Sequence, residues 1–273
     1  MSEFLRISII TPSYNQAVFI EQTISSVLSQ SYPNLEYVII DGGSTDGTVE
    51  ILKQYDERIA WVSERDRGQS DALNKGMKQA TGNIVGFINS DDLLAPQSLW
   101  RVSDYFRKHP DAYWVSGKCR NIDENGIEIR KSVTLYKNAW MLTRSYTALM
   151  ITNYLSQPAT FWRREIMDEV GFFDESLHYS MEYDLWLRIG QKYRLYTIDD
   201  YLASFRIHSA SKAGSSANAP FDADLEILKR YAKGPLLWRL HAFHNALIVF
   251  FYLKILGRNM GLYSGVQRKG EQR

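Results

Sequence analysis

Four short runs rich in Ile and Val, at residues 7–10, 35–40, 59–63 and 82–88, divide the first ninety residues, and each ends in a polar cluster. Their length and β-branching mark them as strands. Between them lie three stretches with helical spacing. Residues 19–29 carry Ile20, Ile24, Val27 and Leu28, and residues 48–55 carry Val49, Ile51 and Leu52. Residues 70–80 place Ala72, Leu73, Gly76, Met77 and Ala80 on one side. Strands and helices in such alternation predict an α/β fold, Rossmann-like, with a mostly parallel central sheet flanked by helices and joined by right-handed crossovers. Every polar cluster then falls on the same edge of the sheet, the carboxyl edge at which open α/β sheets bind ligands.

The most apolar run, 82–88, stops at Asn89-Ser90-Asp91-Asp92. Adjacent carboxylates repel and are best tolerated where a cation or hydrogen-bond donors compensate them. A hard divalent metal held by one carboxylate, with water and phosphate oxygens around the rest, meets that need. A solvated turn is the competing reading, since Asp is common in turns. The glycines do not support a dinucleotide site. The first strand ends in Thr-Pro-Ser-Tyr-Asn, and Gly42, Gly43 and Gly47 follow the second strand without the Gly-x-Gly-x-x-Gly spacing; no P-loop is present. A net charge of +1 argues against a nucleic-acid partner. The single cysteine, Cys119, excludes an intrachain disulfide or a cysteine-based zinc site and suits a reducing compartment. With no charged-then-apolar signal pattern at residues 1–6, a cytoplasmic location is expected. Seven Trp and 17 Tyr suit stacking on rings or sugars, although an aromatic core accounts for most of them.

Eight strings carry a resemblance. Residues 9–15 (IITPSYN), 41–48 (DGGSTDGT), 64–76 (ERDRGQSDALNKG) and 89–92 (NSDD) continue in register into 157–164 (QPATFWRR), 171–174 (GFFD), 181–188 (MEYDLWLR) and 205–211 (FRIHSAS). Across residues 5–212 the chain resembles glycosyltransferase family 2, the inverting nucleotide-sugar transferases of GT-A fold. The resemblance implies a GT-A domain over residues 1–215, with a nucleotide-sugar half at about 1–110 and an acceptor half at about 111–215. A C-terminal helical extension, 216–273, lies outside it.

The resemblance also implies roles. Asp41 accepts the imide N–H of uracil, with a turn or helix-cap role as its alternative, and Thr11, Pro12 and Tyr14 flank the base. Asp66 and Arg67 lie near base and ribose, and Lys75 approaches phosphate. Asp71 is as readily a first-turn helix acid as a functional one, and Asn74 a buried hydrogen-bonding residue. Asp91 faces the ribose hydroxyls. Asp92 holds Mg²⁺ or Mn²⁺, which the residue types do not separate, and His208 reaches the metal or the diphosphate. Such a cation stabilises the charge of a departing nucleoside diphosphate. Arg206 and Lys212 add phosphate contacts, and the small polar residues 209–216 form a loop that folds over the donor.

Inverting transfer needs a base for the acceptor hydroxyl. Glu182 is assigned that role by resemblance, although family members usually carry Asp there. Asp184 is the alternative base or an acceptor-positioning group; two residues apart on a helix, the pair points in different directions. The donor expected is a nucleotide sugar, UDP-linked by preference, and the acceptor a saccharide or a lipid-linked sugar of cell-surface polysaccharide synthesis. Two other functions stay open. A non-catalytic nucleotide-sugar binding subunit would keep Asp41 and Asp92 without needing Glu182. A sugar-phosphate nucleotidyltransferase would carry a basic Gly-rich loop after the first strand, and this chain does not.

Beyond Pro235 the sequence turns apolar, without interruption from Ala246 to Leu253. That is short of the ~20 residues needed to span a bilayer. Arg239, Lys254, Arg258, Arg268, Lys269 and Arg273 flank it. Residues 235–257 therefore fit two settings: a helix in the membrane interface, peripheral at the inner face of the cytoplasmic membrane, or packing on the domain or in a homodimer.

Overall fold

A computed structural model describes residues 4–209, 211 and 219–251. Strands β1 (Ile7–Ser13), β2 (Leu35–Asp41), β3 (Ala60–Ser63) and β4 (Ile84–Phe87) alternate with helices α1 (Ile20–Leu28), α2 (Thr48–Lys53) and α3 (Gln69–Gln79). The four strands pair in parallel in the order β3-β2-β1-β4. β1 runs three residues past its apolar stretch because Thr11, Pro12 and Ser13 stay in register with Ile39, Ile40 and Asp41. β4 leaves β1 after Ile10, so Pro12 sits where β1 has one neighbour only, and its missing N–H costs no ladder bond on the open side.

The later elements are β5 (Leu93–Leu94), α4 (Ser98–Lys108), β6 (Trp114–Ile122), β7 (Glu128–Ile129), α5 (Lys131–Met141), α6 (Tyr146–Thr152), β8 (Thr160–Arg163), α7 (Met167–Val170), α8 (Met181–Lys192) and β9 (Leu195–Arg206). They continue the sheet as β4-β8-β6-β9-β5, with β7 beside β6. Here antiparallel neighbours enter: β8 runs against both β4 and β6, and β5 against β9. β9 begins at Leu195, earlier than its apolar end suggests, because it pairs along all of β6.

Period-two alternation gives the sheet two buried faces. Ile7, Ile9 and Ile84 pack with Ile20, Ile24 and Val27 of α1 on one side. Ile10, Val85 and Phe87 pack with Leu73 and Met77 of α3 on the other. α3 approaches closely because residue 76 is glycine; a Cβ there would stand 2.5 Å from Ile10 Cγ2. The aromatic surplus goes largely to the core. Trp114, Trp162 and Trp186 are buried and in ring contact, with centroids 5.4 and 6.0 Å apart; truncating a side chain of this kind typically costs about 3–5 kcal/mol.

Helices α9 (Ala219–Tyr231) and α10 (Pro235–Phe251) follow. α9 is tied to the domain by buried Ile227 and Leu228, by Arg230 to Asp174 at 3.0 Å, and by the Tyr231 hydroxyl, which donates to Asp184 Oδ1 at 2.6 Å. α10 packs on α6, where His241 Nδ1 lies 3.0 Å from the Met150 carbonyl.

Candidate active site

The loops after β1, β2, β3 and β4 converge on a cleft of about 600 Å³. Pro12 comes from the end of β1 and Tyr14 from the loop after it, Gly42 from the second loop, Arg65 and Asp66 from the third, Gln69 from the start of α3, and Asn89 and Asp91 from the fourth loop. A Cβ at Gly42 would stand 2.6 Å from Asp66 Oδ2 and would displace that carboxylate. Asp66 Oδ1 accepts the Gly68 N–H at 2.9 Å, which fixes its loop.

The acid pair divides in the opposite sense to the expectation. Asp92 is wholly buried. Its Oδ1 accepts the Arg206 N–H at 2.8 Å and its Oδ2 the Asn89 side-chain N–H at 3.2 Å. Burial, with the Asp91 charge beside it, holds the Asp92 carboxyl well above the usual carboxylate range. Asp91 lines the cleft instead, and its Oδ2 lies 3.0 Å from His208 Nε2. The β5–β9 pairing is the cause: Leu93 opposite Ser204 brings the acid pair against the end of β9. Of the two acids, Asp91 is the one that faces the cleft and Asp92 the one turned into the protein.

The residues present suit a hard cation. Asp91 Oδ2 and His208 Nε2, hydrogen-bonded at 3.0 Å, are the two atoms that would hold such an ion. The carboxylate is the donor type that suits Mg²⁺ and Mn²⁺, and the imidazole is a general ligand of divalent first-row metals. Among the described residues no group of three His, Cys, Asp or Glu forms a fuller cage. Two protein ligands leave positions for phosphate oxygens, as nucleotide-bound Mg²⁺ sites do.

Glu182 and Asp184 sit in the first turn of α8 and diverge as their spacing requires. Asp184 is buried; Arg188 Nε and Nη2 each hold Oδ2 at 2.9 Å, and the Tyr231 hydroxyl holds Oδ1. Arg188 also donates to the carbonyls of Val170, Gly171 and Phe172. Asp184 thus anchors α8 to α7 and α9 and presents no free oxygen to an acceptor. Glu182 is half-buried, near enough to the buried Lys137 ammonium to feel its charge. Beside it Met181 Sδ takes the Ser70 hydroxyl at 2.8 Å, next to Gln69 on the cleft wall.

Several expected contacts are committed elsewhere. Thr11 is buried, 3.1 Å from the Tyr37 hydroxyl, and does not reach the cleft as Pro12 and Tyr14 do. Asp41 has no exposed surface. It accepts the N–H groups of Gly43 and Ser44 at 3.1 and 2.9 Å, and the hydroxyls of Ser44 and Ser63 at 2.5 and 2.7 Å. Three of these bonds fall on Oδ2 and one on Oδ1, so the buried Asp41 shapes the loop, while Asp66 lines the cleft beside it. Arg67 pairs with Asp71 and Glu175 at 3.0 and 2.7 Å, and Lys75 with Glu64 and Asp71 at 2.7 and 3.4 Å. Neither lines the cleft; Arg65 does. Arg206 is buried and spends its guanidinium on the carbonyls of Asp91, Asp123 and Glu124 and on Gln22, which removes it from phosphate. Lys212 lies outside the described residues, as does most of the loop 209–216; Ser211 lines the cleft.

The sequence reading missed the amide chain beneath the cleft. Gln69 Nε2 donates to Asn89 Oδ1 at 2.7 Å, Asn89 Nδ2 donates to Gln157 Oε1 at 3.1 Å, and Gln157 Nε2 donates to the Phe87 carbonyl at 2.5 Å. Gln157 and Asn89 each open a motif string, which was the available signal. Asn74 is a similar cross-link: it exchanges two hydrogen bonds with the Phe173 backbone, at 3.0 and 2.9 Å.

Comparison with known proteins accords with this geometry. The putative teichuronic acid biosynthesis glycosyltransferase TuaG of Bacillus subtilis is 42% identical over 115 residues, 41% of this chain and 46% of TuaG. The fold matches S. aureus TarS 1–349 in complex with UDP-GlcNAc (TM-score 0.64, 18% identity, 90% of this chain and 73% of that one). It also matches the mannosyltransferase PcManGT of Pyrobaculum calidifontis in complex with GDP-Man and Mn²⁺ (TM-score 0.64, 22% identity, 92% and 70%). The expected GT-A fold is therefore present. The model of Glycosyl transferase family 2 matches residues 8–171, more than half of the sequence, and the chain belongs to that family.

Proposed function

We propose that the chain is an inverting glycosyltransferase that moves a sugar from a UDP-linked donor to a saccharide or lipid-linked acceptor in the cytoplasm, for cell-surface polysaccharide. The observation that carries this is the Asp91 carboxylate on the wall of a cleft at the carboxyl edge of the parallel strands, with the buried His208 ring 3.0 Å from its Oδ2. TuaG's name supports the polysaccharide role, and the TarS complex supports a UDP-sugar.

Each residue then has a physical task. Pro12, Tyr14 and Gly42 receive the base, with Asp66 as the carboxylate facing its polar edge. Asp91 and His208 would hold Mg²⁺ or Mn²⁺, which when bound supplies positive charge to the diphosphate as it leaves. Glu182 takes the acceptor proton while that oxygen bonds to the anomeric carbon. The bond from that carbon to the diphosphate oxygen breaks on the opposite face, so the configuration inverts. The amide chain Gln69–Asn89–Gln157 holds the floor of the cleft rigid, which preserves alignment.

The test incubates the full chain with a panel of nucleotide sugars, Mn²⁺ and saccharide acceptors, and follows free nucleotide and the anomeric configuration of product. Release of UDP with an inverted product is expected. Tight UDP-sugar binding without turnover points to a binding subunit, and pyrophosphate chemistry to a nucleotidyltransferase; either outcome overturns the proposal.

A further inference from the structure

Helix α10 sets Leu237 and Trp238 against the core and buries polar groups beside them. Its inner side carries polar groups: besides the His241 contact with Met150, Asn245 Nδ2 lies 2.9 Å from His241 Nε2, and the Tyr136 hydroxyl 2.5 Å from His244 Nε2. Its outer side shows Leu236, Leu240, Phe243 and Leu247, 41–68% exposed, at steps of four, three and four residues. Such steps draw one stripe along a helix. Large apolar side chains grouped in that way mark an interaction surface.

Two partners fit a stripe of this spacing, a second helix or a lipid surface, and charge separates them. From residue 227 to residue 270 the sequence holds eight Lys and Arg and no Asp or Glu. A second copy would bring the same acid-free segment against it, with no opposite charges to flank the seam. An anionic lipid surface is complementary to both features: it attracts the cations and takes up the apolar stripe at the headgroup boundary. Trp238, packed against the core, holds the Arg239 and Lys229 cations 5.4 and 6.0 Å from its ring, at the foot of the stripe. Among the described residues no helix is long and apolar enough to cross a membrane.

We propose that α10 lies in the interface of an anionic membrane and brings the acceptor half of the cleft to it. The His241 ring stacks on Tyr183, centroids 6.2 Å apart, and Tyr183 stands between Glu182 and Asp184 in α8. The lipid-facing helix is thus one side chain away from the helix that bears the proposed base. This deepens the proposed function, and rests on it only in naming a lipid-linked acceptor as what the arrangement serves.

The test is co-sedimentation of the full chain with vesicles of phosphatidylcholine alone or mixed with phosphatidylglycerol, beside light scattering for mass. Anionic vesicles should bind roughly tenfold or more tightly than neutral ones, and salt should weaken the preference. The triple variant L240S/F243S/L247S should lose vesicle binding while keeping its melting temperature and UDP affinity. If that variant melts early, Arg239→Glu reads the charge effect alone and should lower the anionic preference. Equal partition to both vesicles, or a dimer that the triple variant splits, would overturn the proposal. Vesicle binding is read without turnover, so a failure here is distinct from failure of the transferase assignment.

Discussion

His208 Nε2 lies 3.0 Å from Asp91 Oδ2 although 117 residues separate them. The contact depends on a two-residue strand, β5, whose pairing with β9 carries the chain end of β9 to the acid pair. Phe19 of the first loop supports it from below, 4.6 Å from the His208 ring and 4.9 Å from the Arg206 guanidinium. Arg206, on the same strand end, holds the Asp91 carbonyl at 2.7 Å and the Asp92 carboxylate through its N–H. One arginine thus fixes the backbone of the pair and leaves the Asp91 side chain facing the cleft.

Glu182 and Asp184 should separate cleanly under mutation. Glu182→Gln preserves shape and removes the proton acceptor, so kcat should fall about 10²–10⁴-fold with donor affinity retained. Asp184→Asn loosens the Arg188 and Tyr231 contacts, and should lower the melting temperature more than it lowers kcat at a temperature where the variant is folded. Stopped assays and thermal melts on both variants check this. Loss of turnover in folded Asp184→Asn, with Glu182→Gln active, would transfer the role of base.

Base recognition gives a second contrast. Asp66→Asn should weaken UDP binding and raise KM with kcat nearly unchanged at saturating donor, because the base is remote from the reacting carbon. Asp41→Ala removes three hydrogen bonds from the 42–48 loop and one from Ser63 of β3; it should lower stability by a few kcal/mol, at ~1 kcal/mol per bond. A stable Asp41→Ala protein that has lost UDP affinity selectively would return uracil recognition to Asp41.

Asp224 in α9 predicts a pH dependence. It is buried, Oδ1 lacks a hydrogen-bond partner, and Oδ2 accepts the Asn153 amide at 2.9 Å. Burial raises its carboxyl from 3.8 to about 6, opposed by the Ser180 hydroxyl, Asn153 and the Lys137 ammonium. A raised acid favours the folded state when protonated. That stability is fully present below about 3.8 and is lost as pH rises through about 6. The loss is on the order of 2–3 kcal/mol. Asp224→Asn should therefore gain on the parent in denaturant melts as pH rises from about 4 to about 7. A difference that stays constant with pH would contradict the assignment.

Much of the nucleotide half is legible in the sequence for a physical reason. Strands buried on both faces read as unbroken apolar runs, as at Val85 and Phe87, and parallel topology then sends the polar cluster after each strand to one edge. Which of two adjacent acids faces the cleft is not legible, because Asp91 and Asp92 differ by one position and a distant pairing decides between them. The same holds for Arg206 and Asp184, whose partners Glu124 and Tyr231 are far away in sequence. Strands as short as β5 and β7 carry too few residues for a period to show.

The central claim, a cation shared by Asp91 and His208 with the donor diphosphate, is tested most directly by calorimetric titration of UDP with and without Mn²⁺. The proteins compared are the parent, Asp91→Asn, His208→Ala and Asp92→Asn. In the parent, Mn²⁺ should strengthen UDP binding by roughly tenfold or more, and Asp91→Asn and His208→Ala should each lose most of that gain, on the scale of effect expected at a metal ligand. Asp92→Asn should keep the gain wherever it is folded, since its carboxylate is turned into the protein. A Mn²⁺ effect that survives loss of Asp91 and vanishes in folded Asp92→Asn would contradict the account.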